Sequence, residues 1–191
     1  MNILHYVTKK QEISPKLKKL KSLCDAESGD VDSTDSKASE NGIEEADVLK
    51  SKECPASVCC RTVYNKEELE KRLSPAQFRV TQQLGTEKPF SGKYVKWKEE
   101  GVFNCIVCGT PLFSSETKFN SGSGWPAFYD VISKGHVLLK EENVGGLQRM
   151  EVKCRECKSH LGHVFDDGPK PTGIRFCVNS CSLDFRKHTT V

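Results

Sequence analysis

From His160 to Phe185 the chain reads HLGHVFDDGPKPTGIRFCVNSCSLDF, which gathers imidazoles, carboxylates, a guanidinium, an amide and thiols in one short span. Apolar and polar residues alternate in IRFCVNS, the pattern of a half-buried strand. On such a strand Arg175, Cys177 and Asn179 share a face, because successive side chains point to opposite sides. With HLGHVF as the antiparallel neighbour, the turn DDGPKPTG sets His163 against Cys177. A cation beside a thiol favours the thiolate, which is the nucleophilic form. The expectation is a nucleophilic Cys177 with a lowered pKa. The competing reading is a buried cysteine that packs as a small hydrophobe. His160 or His163 taken alone fits an ordinary satisfied histidine of the fold.

A second set of thiols has metal-ligand spacing. Cys105-Ile-Val-Cys108 is followed by Gly109, and Cys154-Arg-Glu-Cys157 sits in a similar turn. Two intervening residues let both sulfurs of such a knuckle reach one tetrahedral ion, while turn amides offset their charge. The 45 residues between the pairs exceed the spacing of a short zinc ribbon. The knuckles are therefore expected to meet through the tertiary fold around a structural zinc, which contributes to folding. Disulfides and separate redox pairs are the alternatives, and disulfides are disfavoured without a secretory signal.

Position and purpose must come from the rest of the chain. It has 191 residues, 36% hydrophobic and 29% charged, with a formal charge of +3. That small charge gives no footprint for nucleic acid or an anionic membrane, and no apolar run is long enough to span a bilayer. The start, MNILHYVTKKQEISPKLKKLKSL, lacks the apolar core of a secretory signal. Its cations are lysines and Glu12 interrupts them, so a cytoplasmic address is expected, with the mitochondrion as the alternative. Lysines 9, 10, 16, 18, 19 and 21 form a solvated arm that an acidic partner could touch. The following CDAESGDVDSTDSKASENGIEEAD is acidic, Ser-rich and poor in large apolar groups. It buries too little to offset its ordering entropy. Residues 1–60 are thus expected to be disordered, with a folded domain over 65–187.

That domain opens with helix signals. Asn65 and Glu68 have capping-box spacing, and Leu69 and Leu73 share a helical face. Ser74-Pro75 starts a second helix, for which Gly85 is the expected C-cap. After it the period changes: VFNCI, PLF, HVLL, RMEV, HLGHVF and RFCVNSCSLDF read as strands. The fold class expected is mainly β (α+β), with short N-terminal helices.

The ordered set GTEKPFSG, C-x-x-C-G-x-PLF, SGSGWPAF, C-x-x-C, HLGHVFDDGP and RFCVNS resembles the zinc-containing B type of methionine-R-sulfoxide reductase. The resemblance runs from about Asn65 to Phe185. It implies two small antiparallel sheets and reduction of the R epimer of methionine sulfoxide, mainly in oxidised proteins. Cys177 matches the family's nucleophile, which passes through a sulfenic acid. His160 and His163 match the pair that binds and protonates the sulfoxide oxygen, as a poor leaving group requires. Asn179 matches an orienting amide, Asp167 and Arg175 a pair that shapes the pocket, and Trp125 the ring that packs on the substrate methyl. Cys105, Cys108, Cys154 and Cys157 match the zinc ligands. Many members carry a resolving cysteine where this chain has Ser123, so Cys54, Cys59 and Cys60 are the candidates to form a disulfide for thioredoxin to open, the alternative being direct reduction of the sulfenic acid by an external thiol. Cys181 stands where relatives have a small residue and is expected to be packing, about 13 Å along the same strand face as Cys177. A monomer is the expected state. Two other classes are weaker. A zinc binding module would group cations around the knuckles, where Glu116, Glu141, Glu142, Glu151 and Glu156 dilute them. A zinc enzyme needs an open coordination position, and four thiolates leave none.

Overall fold

The short apolar runs pair into two antiparallel sheets that trap the phenylalanines between them. The structure, a computed structural model, describes residues 12–27 and 64–188. One sheet has the order β2-β1-β9, built from Pro111–Ser114, Gly101–Cys105 and Leu183–Lys187. The other has the order β3-β4-β8-β7-β6-β5. Its strands are Lys118–Phe119, Ala127–Phe128, Arg175–Val178, His160–Phe165, Leu147–Cys154 and Val137–Val144. Phe103, Phe113, Phe128 and Phe176 are fully buried at the centre. The rings of Phe113 and Phe128 stack at 4.4 Å, and Phe103 meets Phe128 edge-on at 5.1 Å. Each such side chain contributes about 1.5–3 kcal/mol by leaving water.

The last expected strand is broken, and the break matters for function. RFCVNSCSLDF divides into β8, a 3₁₀ turn over Ser180–Ser182, and β9, so one continuous run crosses from the larger sheet to the smaller. The physical cause lies far away in sequence: the amides of Ser180 and Cys181 donate to the Glu87 carboxylate at 2.7 and 3.1 Å. Cys181 is consequently not on the strand face of Cys177, as the alternation suggested. It lies in the turn, and burial followed by its bond to Glu87 pushes its thiol up to about 11.

The helices behave as their caps direct. In α2 (Lys66–Arg72) Asn65 caps the N-terminus, though its side chain accepts from Glu67 rather than forming the expected box with Glu68. In α3 (Pro75–Gln82) Ser74 and Gln77 form a full capping box. Leu84, not Gly85, takes the left-handed conformation after it, at φ 57°. The reading of 1–60 as disordered needs amendment over residues 12–27. There, Ser14-Pro15 starts a helix, α1 (Pro15–Ala26), which buries Leu17, Leu20 and Cys24. It lies near β5, and Arg155 reaches from the far knuckle to the Cys24 carbonyl at 2.9 Å. Composition hid this helix, since lysines surround its three apolar contacts. The acidic stretch after it, with Cys54, Cys59 and Cys60, lies outside the described residues.

Candidate active site

Strands β7 and β8 run antiparallel with His163 directly opposite Cys177, as the alternation required. Gly162 makes the approach possible, because a side-chain carbon there would overlap the Cys177 carbonyl oxygen and stand 2.9 Å from Val178 Cα. Cys177 opens into a cavity of about 170 Å³ lined by Thr86, Trp125, Arg149, Gly162, His163, Phe165, Cys177 and Asn179. That volume suits a small group such as the end of one side chain, not a drug-sized ligand.

The thiol itself is not the activated anion that the sequence suggested. Burial raises its pKa, and the Ser123 hydroxyl at 3.6 Å and the Arg175 charge offset only part of that. Arg175 also divides its charge with a second partner. Its Nε and a terminal nitrogen clasp both oxygens of Asp167 at 2.8 Å, and its guanidinium stacks on Phe165 at 4.3 Å. That clasp holds Asp167 below its ordinary value. Arg175 and Asp167 line a neighbouring depression with Ser121 and Ser123, so they border the cavity wall rather than fill it.

The two histidines differ. His163 faces the cavity, and its Nε2 lies 2.6 Å from Glu142, which also binds Arg149 at 2.9 Å. Burial lowers the His163 pKa despite the Glu142 bond, which favours its neutral form. His160 is 2% exposed and pairs its Nδ1 with Glu151 at 2.8 Å. Its Nε2 is buried without a hydrogen-bond partner, and its ring sits 5.5 Å from that of His163. His160 does not line the cavity itself; it packs behind His163, which does. Asn179 and Trp125 are both fixed. The Asn179 amide donates to the Leu161 carbonyl at 3.0 Å and accepts the Glu87 N–H at 3.1 Å. Trp125 donates its indole N–H to the Glu87 carbonyl at 3.1 Å.

Away from the cavity, the two knuckles do meet. Cys105, Cys108, Cys154 and Cys157 place their sulfurs within 4.8 Å of one another, forming a cluster that can hold a metal ion. A tetrahedral thiolate site with bonds of about 2.3 Å needs sulfurs about 3.8 Å apart, so the set fits with little movement. Thr110 and Ser159 hydroxyls contact Cys108 and Cys157 at 3.1 and 3.2 Å, a second layer of the kind that orients ligands. Each knuckle turns through a left-handed residue, Gly109 at φ 77° and Lys158 at φ 61°. One knuckle ends β1 of the smaller sheet and the other ends β6 of the larger, so the cluster ties the sheets together.

The SelR domain matches residues 73–187, more than half of the chain. The chain belongs to the SelR-domain family. It is 44% identical over 184 residues to mouse "Methionine-R-sulfoxide reductase B3, mitochondrial", covering 96% of this chain and 61% of that protein. It is 57% identical over 122 residues to "Peptide methionine sulfoxide reductase MsrB" of Methanosarcina barkeri, covering 64% of this chain and 86% of that one. To "Methionine-R-sulfoxide reductase B1" of Drosophila melanogaster it is 52% identical over 137 residues, 65% and 66% of the two chains. It thus spans about three fifths of the mouse relative's length.

Within this SelR chain, four residues of the site escaped sequence reading. Glu142 and Glu151, read as charges diluting the surroundings of the knuckles, instead hold His163 and His160. Arg149 lies in the RMEV strand, where nothing local marks it. Glu87 lies inside GTEKPFSG, and nothing local marks it either, because its partners are more than thirty positions away. Among the described residues no helix is long and apolar enough to cross a membrane.

Proposed function

We propose that this chain is a peptide-methionine (R)-S-oxide reductase that uses Cys177 as nucleophile to repair oxidised proteins. The observation that carries this reading is the small cavity where Cys177, His163, Trp125 and Asn179 meet. Reduction transfers the sulfoxide oxygen: the Cys177 sulfur attacks, the S–O bond of the substrate breaks, and methionine and a Cys177 sulfenic acid result. No proton is gained or lost overall, and the site supplies the shuttle. A thiol kept protonated by burial and a neutral imidazole opposite it form a donor and acceptor pair. The proton leaves Cys177 through the His163–Glu142 pair and arrives on the sulfoxide oxygen, which needs it to leave. Ser123 and Arg175 stabilise the thiolate so formed. His160 offers its unpartnered Nε2 to the same oxygen. Trp125 packs on the substrate methyl and Asn179 orients, so that only the R epimer presents its oxygen to the imidazoles.

A second thiol then attacks the sulfenic acid, releasing water, and a dithiol such as thioredoxin reduces the disulfide. Cys54, Cys59 and Cys60 are the proposed resolving thiols. The metal held by Cys105, Cys108, Cys154 and Cys157 is zinc, and its part is structural because all four positions are thiolate. The working unit is 65–187, monomeric, in a thiol-reducing compartment, cytosolic or, as the mouse relative's name suggests for that protein, mitochondrial. The test is dithiothreitol-driven turnover on separate R and S epimers of a blocked methionine sulfoxide, with Cys177→Ser alongside. Activity on R alone, lost in the variant, supports the reading. Folded, zinc-loaded protein inert on both epimers overturns it.

A further inference from the structure

One residue outside the reacting set holds most of the cavity wall. Glu87 is only 6% exposed, and four hydrogen bonds converge on it. Its carboxylate accepts the amides of Ser180 and Cys181, which form the turn that ends β8. Its own N–H donates to Asn179 Oδ1, and its carbonyl accepts the Trp125 indole N–H. A buried carboxylate is costly unless charge-assisted bonds satisfy it, so this one fixes its neighbours firmly.

We propose that Glu87 is the positioning residue of the sulfoxide pocket: it locks the Ser180–Cys181 turn to its own loop, whose backbone holds Trp125 and Asn179, and thereby sets both the Trp125 ring and the Asn179 amide against Cys177. The inference rests on reading that cavity as the substrate pocket. Glu87 touches no reacting atom. Its side chain anchors residue 87, and the residue's backbone holds the two groups that face the substrate. The consequence is specificity: epimer discrimination depends on where the indole stands relative to the imidazoles, so loosening Glu87 costs selectivity together with rate.

The experiment uses full-length, zinc-loaded protein in a Trp97→Phe background, where Trp125 is the remaining tryptophan of the two in the chain. Glu87→Ala and Glu87→Gln are compared by Trp125 emission and by kcat and KM on the R and S epimers of a blocked methionine sulfoxide. Glu87→Ala is expected to shift the emission and to lower kcat/KM for the R epimer by about tenfold to a hundredfold, the scale of a misplacement near 1 Å. Its preference for R over S narrows. Glu87→Gln keeps one acceptor oxygen and the shape, so it should fall between Ala and the parent in all three readings. Parent-like emission and selectivity in a folded Ala variant would overturn the proposal. If Ala does not fold, a Gln variant identical to the parent in every reading would overturn it equally. An inert parent defeats the functional reading alone, since the Trp125 emission still reports whether Glu87 positions the ring.

Discussion

Gly162→Ala adds one carbon where two strands are closest, and the structure says what it must displace. That carbon would overlap the carbonyl oxygen of Cys177, stand 2.9 Å from Val178 Cα and 3.0 Å from the Cys177 carbonyl carbon. All three are backbone atoms, so no flexible side chain can give way. Relief requires β7 and β8 to part by about 1 Å, because carbon contacts settle near 3.5–4.0 Å. Overpacking of this kind costs about 1–3 kcal/mol. For a folded unit of this size that is a fall in Tm of roughly 4–12 °C. The chemical cost is larger than the structural one, since the strands that part carry His163 and Cys177. A shift near 1 Å between reacting groups lowers kcat/KM by about a hundredfold. The assay pairs thermal unfolding of the zinc-loaded protein with steady-state turnover at a temperature where the variant is folded. A variant with parent-like kcat/KM would refute the idea that the β7–β8 register sets the reacting geometry, whatever its Tm.

Other consequences follow from the same contacts. Chelating the metal should unfold the domain, seen as loss of near-ultraviolet circular dichroism, because the four cysteines join the two sheets. Inhibition with an intact fold would show the ion to be dispensable for structure. The Cys177 thiol is held above its ordinary range by burial, so its alkylation by iodoacetamide should keep accelerating above pH 8.5, followed by peptide mass. A plateau below pH 7 would mean a preformed thiolate. The lowered pKa of Asp167, due first to its bond from Arg175, stabilises the fold above the carboxylate's unfolded pKa, and that contribution is lost as pH falls through the folded value. Asp167 is well exposed, so Asp167→Asn should change stability near pH 7 by under about 1 kcal/mol. Leu20→Ala in α1 should cost about 2–3 kcal/mol by urea unfolding, since the residue is buried against the core. No measurable loss would mean that α1 does not dock in solution. Ser123→Cys places a thiol where a hydroxyl now lies 3.6 Å from Cys177, and should give a disulfide between them after one turnover, read by mass.

Much of the site was legible because its chemistry is local. The C-x-x-C pairs, the strand alternation and the turn between HLGHVF and RFCVNS all act over a few residues, and the structure honours each. What escaped depends on partners distant in sequence. Nothing within RFCVNSCSLDF marks a break, because the group that bends the chain there is Glu87, more than ninety positions away. The strands Lys118–Phe119 and Ala127–Phe128 are too short to show a period. The state of Cys177 differs for a related reason: a nearby arginine promises a thiolate, but burial by distant elements outweighs it, and Asp167 shares the arginine's charge. α1 was missed because three buried contacts among lysines barely alter composition, although its cap, Ser14-Pro15, was present to be read.

The most direct test of Cys177 as nucleophile is a single turnover without reductant. Stoichiometric R-sulfoxide peptide is mixed with pre-reduced protein in the presence of dimedone, and both products are quantified by mass. One equivalent of methionine peptide per chain is expected, with a dimedone adduct or a disulfide on the peptide that carries Cys177. Methionine formed while that peptide keeps a free thiol would contradict it.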